Sequence, residues 1–296
     1  MENFLPFANL DEEERGLRRL EADPTFRLWP YLNKENKDLV YFTASTRETA
    51  FDWIAGVHRF MTLTDLTLLR AMRYADMFLS KRGSEVFVGG LPSSTKAPPM
   101  SKLPERSVLH LKEDSADLPS KLKRLMLTCL FVASKIEEVC LPKACAFVNA
   151  GAVVAFTERS LRLAEQVVLV ELDYRLHYPT ALCFAHIYIN DLVPDMGERW
   201  DMYQKLVALL LETVALAHES LQFLPSLLAA SAITVVGAGM FNVPRDTMAA
   251  KFASAAHSPT DLYEACNLFE KIVYDLQRSV CLSKPLNAAS KYLDMD

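Results

Sequence analysis

The sequence has 296 residues, of which 51% are hydrophobic and 23% charged, and its formal net charge at pH 7 is −5. This composition is typical of a soluble globular chain and excludes a disordered one. The net acidity gives no whole-chain electrostatic basis for binding nucleic acid. Only 9 glycines occur, and long stretches are rich in Leu, Ala, Met, Lys and Glu, so the sequence predicts an all-α fold.

Helical periodicity predicts five helices in each half of the chain. The first five lie near 46–60, 64–80, 121–138, 142–149 and 157–172. After a break at Pro179, the second five lie near 180–191, 199–218, 222–240, 244–255 and 258–280. Residues 81–120, between the second and third helices, are rich in Gly, Pro, Ser and Thr and predict a loop insertion. The length and the two sets of five favour two domains.

The third helices of the two halves align as an internal repeat. LFVASKIEEV (130–139) lies over LLAASAITVV (227–236), and Leu, Ala, Ser, Ile and Val recur at the same offsets. We interpret the shared residues, above all the small Ala-Ser pair, as packing requirements of the fold. Lys135 and Glu137 are replaced by Ala232 and Thr234 in the second copy, so we expect them to serve function.

Two acidic residues, Glu137 and Glu138, lie in the last turn of the third helix, just before Pro142. A helix C-terminus carries about half a negative charge, so carboxylates there are unfavourable by a few tenths of a kcal/mol each, roughly. The sequence shows no partner for them within the chain. We therefore expect that Glu→Gln at both positions leaves the isolated protein as stable as before, or slightly more stable.

Other segments argue against secretion and membrane insertion. The uncharged stretch 223–244 has about the length that a bilayer requires, but it contains Pro225, two serines and Asn242, so we interpret it as a buried central helix. The N-terminus has early acids and no signal-peptide pattern. No Cys-x-x-Cys pair occurs, and we expect reduced core cysteines in an intracellular protein. The six are Cys129, Cys140, Cys145, Cys183, Cys266 and Cys281.

Four stretches resemble the cyclin family. LTCLFVASKIEEVCLPKACAFV (127–148) is similar to the cyclin box, and TRETAFDWIAGVHRFMTLTDLTLLRAMRYADMFLS (46–80) is similar to the helices that precede it. FLPSLLAASA (223–232) resembles the third helix of the second cyclin fold, and SKYL (290–293) resembles the C-terminal ends of A- and B-type cyclins. The resemblance implies a divergent cell-cycle cyclin of A- or B-like type.

The resemblance also implies the architecture. It predicts an all-α protein of two tandem five-helix cyclin folds with an N-terminal helix. Residues 1–40 would form the N-terminal segment and helix, and residues 41–178 the first cyclin box with the insertion 81–120. Residues 179–296 would form the second cyclin fold and the C-terminal tail.

By the same resemblance, the protein is the regulatory subunit of a cyclin-dependent kinase in the nucleus and cytoplasm, and is not an enzyme. Lys135 and Glu165 would form the central polar pair facing the kinase, and Glu137 and Glu138 would face arginines of its activation segment. From the residues alone, a surface pair of Glu165 with Arg162 is the alternative. Apolar contacts would come from Ile136, Leu169, Tyr174 and Leu176, and from Leu28, Tyr31 and Leu32 of the N-terminal helix.

Further positions match structural and docking residues of the family. Arg47 and Asp76 match a pair that joins the first two helices within the core. The groove through which cell-cycle cyclins recruit Arg-x-Leu substrates resembles the surroundings of Arg47, Trp53 and Leu122. That groove is degraded here, because its large apolar and acidic positions are replaced. The replacements are Thr46, Glu48, Thr49, Ala50 and Gly56, with Lys123 beside Leu122.

The triplet Lys34, Glu35 and Asn36 resembles the degron that mitotic ubiquitin ligases recognise. A triplet also arises by chance, and this one falls where the resemblance places the N-terminal helix. The triplet therefore has two alternative interpretations, recognition by a ubiquitin ligase and a purely structural role.

Other function classes stay open at the level of the sequence. A transcription-related cyclin or a cyclin-fold general transcription factor is the alternative, although the second half is poor in clustered Lys and Arg. The nucleotide-binding, zinc-protease and serine-hydrolase motifs are missing, and the six histidines are scattered. We therefore expect no cofactor, no metal, no nucleic acid and no membrane partner.

Overall fold

The computed structural model describes residues 12–24, 28, 31–32, 43–82, 118–192, 199–241, 244–253 and 258–281. Within these ranges the regular structure is helical and no strand occurs, which confirms the predicted all-α class. The helices are α1 (Glu12–Glu21), α2 (Ala44–Phe60), α3 (Asp65–Arg82), α4 (Leu118–Glu137), α5 (Ala144–Gly151), α6 (Glu158–Glu171), α7 (Ala181–Leu192), α8 (Arg199–Leu216), α9 (Pro225–Phe241), α10 (Arg245–Ala253) and α11 (Pro259–Cys281). A short 3₁₀ helix, His218–Gln222, lies between α8 and α9.

Two helices of the first half begin at threonine caps. The side chain of Thr43 accepts a hydrogen bond from the backbone N–H of Thr46 at 3.2 Å, and α2 follows. Thr157 and the N–H of Ser160 form the same arrangement before α6, also at 3.2 Å. Each cap satisfies one of the backbone donors that the first turn of a helix leaves without an intrahelical partner, and so fixes where the helix begins.

The chain divides into two compact units. In the first, residues 28–176, the central helix is α4, and α2, α3, α5 and α6 all pack against it. In the second, residues 1–27 with 177–296, α9 is central, and α7, α8, α10 and α11 pack against it, while α1 packs on α7. Each unit thus has a five-helix core of the same plan. The predicted domain limits at 40 and 178 stay predictions.

Small residues let the neighbours approach both central helices. Ala133 and Ser134 in α4, and Ala230 and Ser231 in α9, are all fully buried. Each serine hydroxyl donates to a carbonyl of its own helix at 2.8 Å, three or four residues earlier. Because these hydroxyls are satisfied locally, they can be buried at little cost where a larger side chain would separate the helices.

A buried polar cluster ties α2 to α3 in the first unit. The Arg47 guanidinium donates to both carboxylate oxygens of Asp76, at 2.9 and 2.8 Å, and lies 4.0 Å from the Phe51 ring centroid. The Tyr31 hydroxyl donates to Asp76 at 2.6 Å and accepts from Arg47 Nε at 3.2 Å. All three polar side chains are buried. The arrangement is that of the predicted structural pair, with Tyr31 as a third member.

The apolar stretch 223–244 contains α9, and most of its side chains are buried within the second unit. Within the described ranges, no helix combines the length and apolarity that crossing a membrane requires.

Five of the six cysteines predicted to be core residues have described side chains, and these five only partly follow the prediction. Cys129 and Cys266 are buried, and Cys145 and Cys183 are partly buried. Cys140 is exposed in the connection between α4 and α5, so the prediction was wrong there. The helical period on which it rested ends at Glu137, where α4 ends.

Some predictions fall outside the described residues. These are the Lys34-Glu35-Asn36 triplet, the SKYL stretch at 290–293 and, apart from its two ends, the predicted insertion 81–120.

Candidate functional site

Lys135 in the last turn of α4 and Glu165 in α6 form an ion pair. The Lys135 Nζ lies 2.5 Å from Glu165 Oε1, and the two side chains are 35% and 14% exposed. The ammonium also lies 4.3 Å from the Phe131 ring centroid. The structure thus joins the two residues of the predicted central pair, whereas the alternative from the residues alone paired Glu165 with Arg162. Their role towards a kinase stays a prediction.

Glu137, the final residue of α4, forms an ion pair with Arg70 of α3. Both side chains are largely buried, at 15% and 10% exposure. The same guanidinium donates through Nη1 to the backbone carbonyl of Leu176 at 2.9 Å. The assumption that Glu137 has no partner within the chain was therefore wrong. The positive charge of Arg70 balances the Glu137 carboxylate at the C-terminus of α4.

Glu138 also has partners within the chain. Its Oε1 accepts hydrogen bonds from the backbone N–H of Thr64 at 2.8 Å, from the Thr64 hydroxyl at 3.0 Å and from the Thr67 hydroxyl at 2.5 Å. Partial burial raises the pKa of this carboxyl, but these hydrogen bonds outweigh burial and hold the pKa below its ordinary value. The expectation that Glu→Gln at 137 and 138 leaves stability unchanged is therefore withdrawn.

Apolar side chains lie exposed around the end of α4 and after α6. Ile136 is 37% exposed and Tyr174 is 67% exposed, while Leu169 and Leu176 are half-buried. Val139 and Leu141, in the connection after α4, are 101% and 46% exposed and were missed by the sequence prediction. We call Lys135 to Val139, Leu141, Glu165, Leu169, Tyr174 and Leu176 the candidate surface.

The internal repeat shows that this exposure is not a property of the fold. Ile233 and Val236 occupy the positions of Ile136 and Val139 in the second copy, and both are buried. The interpretation of the shared Ile and Val as packing residues was therefore wrong for the first copy. There α4 ends at Glu137, so these side chains leave the core and form an apolar patch of the kind that marks interaction sites.

The segment after α6 makes a sharp turn that presents Tyr174. Asp173 and Tyr174 are consecutive residues in the left-handed region, with φ of 52° and 57°. The Lys81 ammonium donates to the Glu171 carbonyl at 2.9 Å and pairs with the Asp173 carboxylate at 2.7 Å. The left-handed region is costly for side chains that carry a Cβ, so these contacts help to hold a strained turn.

The N-terminal residues predicted to contact a kinase do not all lie on the surface. Leu28 and Tyr31 are only 7% and 8% exposed, and the Tyr31 hydroxyl is hydrogen-bonded to Asp76 and Arg47. These two side chains belong to the core of the first unit, so their assignment as contact residues was wrong. Leu32 is half-buried, and its role stays a prediction.

The positions of the degraded docking groove are mostly closed. Arg47 and Leu122 are only 1% and 2% exposed, which leaves little of this groove open to a peptide. That the groove is degraded stays a prediction. Trp53 is half-buried, and the Lys123 ammonium lies 5.3 Å from its ring centroid. A lysine thus occupies the face of the one large aromatic side chain that the groove retains.

Arg70, Thr64 and Thr67 were missed by the sequence prediction. Arg70 had a recognisable signal in the sequence, because it interrupts an apolar run. Its side chain is only 9% exposed in the structure, and a buried arginine requires an acidic partner. The two threonines had no such signal, since hydroxyls at the start of a helix usually serve as local caps. Among the described residues, no group of three or more His, Cys, Asp or Glu side chains could hold a metal ion.

The family profile described as "Cyclin, N-terminal domain" matches residues 108–177. Among related proteins, Cyclin-A3-3 of Arabidopsis thaliana is 28% identical over 218 residues, 73% of this chain and 55% of that protein. S-phase entry cyclin-6 of Saccharomyces cerevisiae is 31% identical over 146 residues, 49% of this chain and 29% of that protein. The chain therefore spans about half the length, or less, of the relatives it matches.

The fold is that of a solved viral cyclin. The X-ray structure of a cyclin from herpesvirus saimiri superposes with a TM-score of 0.64, covering 88% of this chain and 96% of that one at 13% identity. This likeness shows the fold, and the profile match over residues 108–177 and the related sequences support a divergent cyclin. Cyclin-D1-1 of Arabidopsis thaliana matches at the same 28% identity as the A-type relative, so the A- or B-like assignment stays a prediction.

Proposed function

We propose that this protein is a regulatory subunit that binds and activates a cyclin-dependent kinase in cell-cycle control, through the candidate surface. Cyclins are regulatory and non-catalytic proteins, and the relatives are named as A-type, D-type and S-phase cyclins. The observation that carries the proposal is the Lys135–Glu165 ion pair bordered by exposed apolar side chains that the second copy of the repeat buries.

The chemistry of the surface suits a protein partner. Ile136, Val139, Leu141 and Tyr174 would supply apolar area, and burying such area drives association. The Lys135–Glu165 pair would supply directional polar contacts that set the register of the partner, which is the usual contribution of charges at an interface. Leu169 and Leu176, half-buried, would extend the apolar area on the side of α6.

The binding experiment uses purified cyclin-dependent kinases and the intact protein. We expect at least one kinase to bind and to gain activity towards a peptide substrate. Lys135→Ala combined with Glu165→Ala should weaken binding at least tenfold and abolish activation, with a helical circular dichroism spectrum like that of the wild type. Affinity is measured by biolayer interferometry on the folded proteins.

A matched control comes from the second unit, where Lys271 and Glu219 form an exposed pair at 3.8 Å. Lys271→Ala with Glu219→Ala removes the same two residue types and should bind the kinase like the wild type. Equal loss of affinity in both double variants, or no binding of any kinase by the wild type, would refute the proposal.

A further inference from the structure

One arginine joins the two separate parts of the candidate surface. The Arg70 guanidinium pairs with the carboxylate of Glu137 at the end of α4 and donates to the backbone carbonyl of Leu176 after α6. Those two residues are 39 positions apart in the sequence (176 − 137), and each adjoins exposed apolar side chains, Ile136 on one side and Tyr174 on the other. A single buried side chain therefore contacts both parts.

Arg70 is one of three residues on the same face of α3 that hold the segment after α6. Arg70, Tyr74 and Lys81 are four and eleven residues apart, spacings that bring side chains to one face of a helix with 3.6 residues per turn. The Tyr74 hydroxyl donates to the same Leu176 carbonyl at 2.7 Å, and Lys81 contacts Glu171 and Asp173. Arg70 also forms an ion pair with α4, through Glu137.

The contacts of Arg70 indicate that it positions neighbouring segments rather than filling the core. Its partners are an acid at a helix end and a main-chain carbonyl in a turn, and the residues beside them are exposed. The turn contains the left-handed Asp173 and Tyr174, whose backbone favours other conformations unless neighbours hold it. The Tyr174 and Arg175 amides donate within this turn to the Leu169 and Leu172 carbonyls at 2.9 Å, so amide exchange at these two positions reports whether it stays closed.

We propose that Arg70 is the positioning residue of the candidate surface, holding the end of α4 and the turn after α6 in the relative arrangement that a kinase recognises. This inference rests on the proposed function for the identity of the partner, but the holding of the turn can be measured without one.

The test compares Arg70→Met with Arg73→Met, which removes an arginine three residues along the same helix and about 60° to one side of Arg70. Two quantities are measured well below the melting temperature of each variant: hydrogen exchange at the Tyr174 and Arg175 amides, and affinity for the kinase that binds the wild type. Arg70→Met should raise exchange at both amides and weaken binding, each at least tenfold. Arg73→Met should change neither by more than about twofold.

Two further single variants and their combination keep the inference testable if Arg70→Met does not fold. Arg70→Lys keeps the charge but lacks the forked group that reaches two partners at once, so it should give intermediate values in both measurements. Glu137→Gln should weaken binding, and the loss in the Arg70→Lys, Glu137→Gln double variant should be smaller than the sum of the two single losses.

The outcomes separate this inference from the proposed function. If the Arg70 variants lower only the melting temperature and leave amide exchange and affinity like those of Arg73→Met, Arg70 is a structural residue and the inference fails. If no kinase binds the wild type while Arg70→Met opens the turn, the proposed function fails and the positioning by Arg70 stands. If a kinase binds all variants equally although the turn opens, the positioning role in recognition is overturned.

Discussion

Glu138, directly after α4, accepts hydrogen bonds from both the backbone N–H and the hydroxyl of Thr64, directly before α3. The carboxylate that is unfavourable at the C-terminus of one helix is thereby placed at the N-terminus of another, where the helix dipole favours negative charge. Together with the Arg70–Glu137 pair, this contact explains why two acids end α4.

The first prediction concerns Glu138→Gln. The substitution weakens three hydrogen bonds to a charged acceptor, and because the side chain is partly solvated we expect a loss of about 1 kcal/mol in the free energy of unfolding near neutral pH. The folded-state pKa lies below the ordinary value of 4.5, so this stabilisation is present above that pH and is lost as the pH falls through the folded-state pKa. Urea unfolding at a series of pH values should show the two proteins converging in acid.

Glu264→Gln is the control for this titration, since Glu264 is exposed in α11. It should lie close to the wild type at every pH. A constant difference between the wild type and Glu138→Gln down to acid pH would show that the carboxylate charge is not what stabilises the contact.

The second prediction concerns the buried cluster of Tyr31, Arg47 and Asp76. Asp76→Asn should cost about 3 kcal/mol or more, because it leaves a buried guanidinium without its counter-charge. Tyr31→Phe removes one hydroxyl and should cost about 1 kcal/mol. The triple variant Tyr31→Phe, Arg47→Met, Asp76→Leu should lose less stability than Asp76→Asn alone, and urea unfolding measures all three.

The third prediction concerns the buried carboxylate of Glu21 in α1. It accepts from the backbone N–H and the hydroxyl of Ser226, in the first turn of α9, at 2.7 Å each. Glu21→Ala should cost about 2 kcal/mol in urea unfolding, because two buried donors at a helix N-terminus lose their acceptor. Glu13 lies on the exposed side of α1, so Glu13→Ala should cost much less stability. Equal losses of stability in the two variants would show that Glu21 contributes only helix propensity.

The fourth prediction concerns peptides carrying the Arg-x-Leu motif. Leu122 is buried and Lys123 lies over Trp53, so the site offers little apolar area and repels the arginine of the motif. We expect dissociation constants weaker than about 100 μM. Fluorescence anisotropy with a labelled peptide, and a scrambled peptide as control, measures this; micromolar binding that disappears in Trp53→Ala would contradict it.

Much of the fold could be predicted from the sequence, because local signals and the hydrophobic period agreed. The ten predicted helices correspond to α2 to α11 within a few residues, and the Ala133-Ser134 and Ala230-Ser231 pairs are buried as expected. The boundary near Pro225 was missed, since α9 begins at this proline rather than at 222. Proline suits the first turn of a helix, where its missing N–H has no partner to lose.

The candidate site was only partly predictable, because its geometry depends on contacts between distant segments. Lys135 and Glu165 were recognised from a motif and do meet. The partners of Glu137 and Glu138 lie 67 and 74 positions away in the sequence (137 − 70 and 138 − 64), beyond any local pattern. Tyr31 was misassigned because a hydrophobic period does not reveal whether a side chain faces a partner or its own core.

The contact of Glu21 with Ser226 has a consequence for the order of synthesis. The two residues are 205 positions apart. During synthesis, α1 therefore leaves the ribosome long before α9, the helix that Glu21 caps, has been made. At roughly 5 to 20 residues per second, α1 waits about 10 to 40 s for its partner. The first unit lacks this dependence on α1 and can form in that interval, so we expect nascent chains arrested before Ser226 to contain a folded first unit and an unprotected α1.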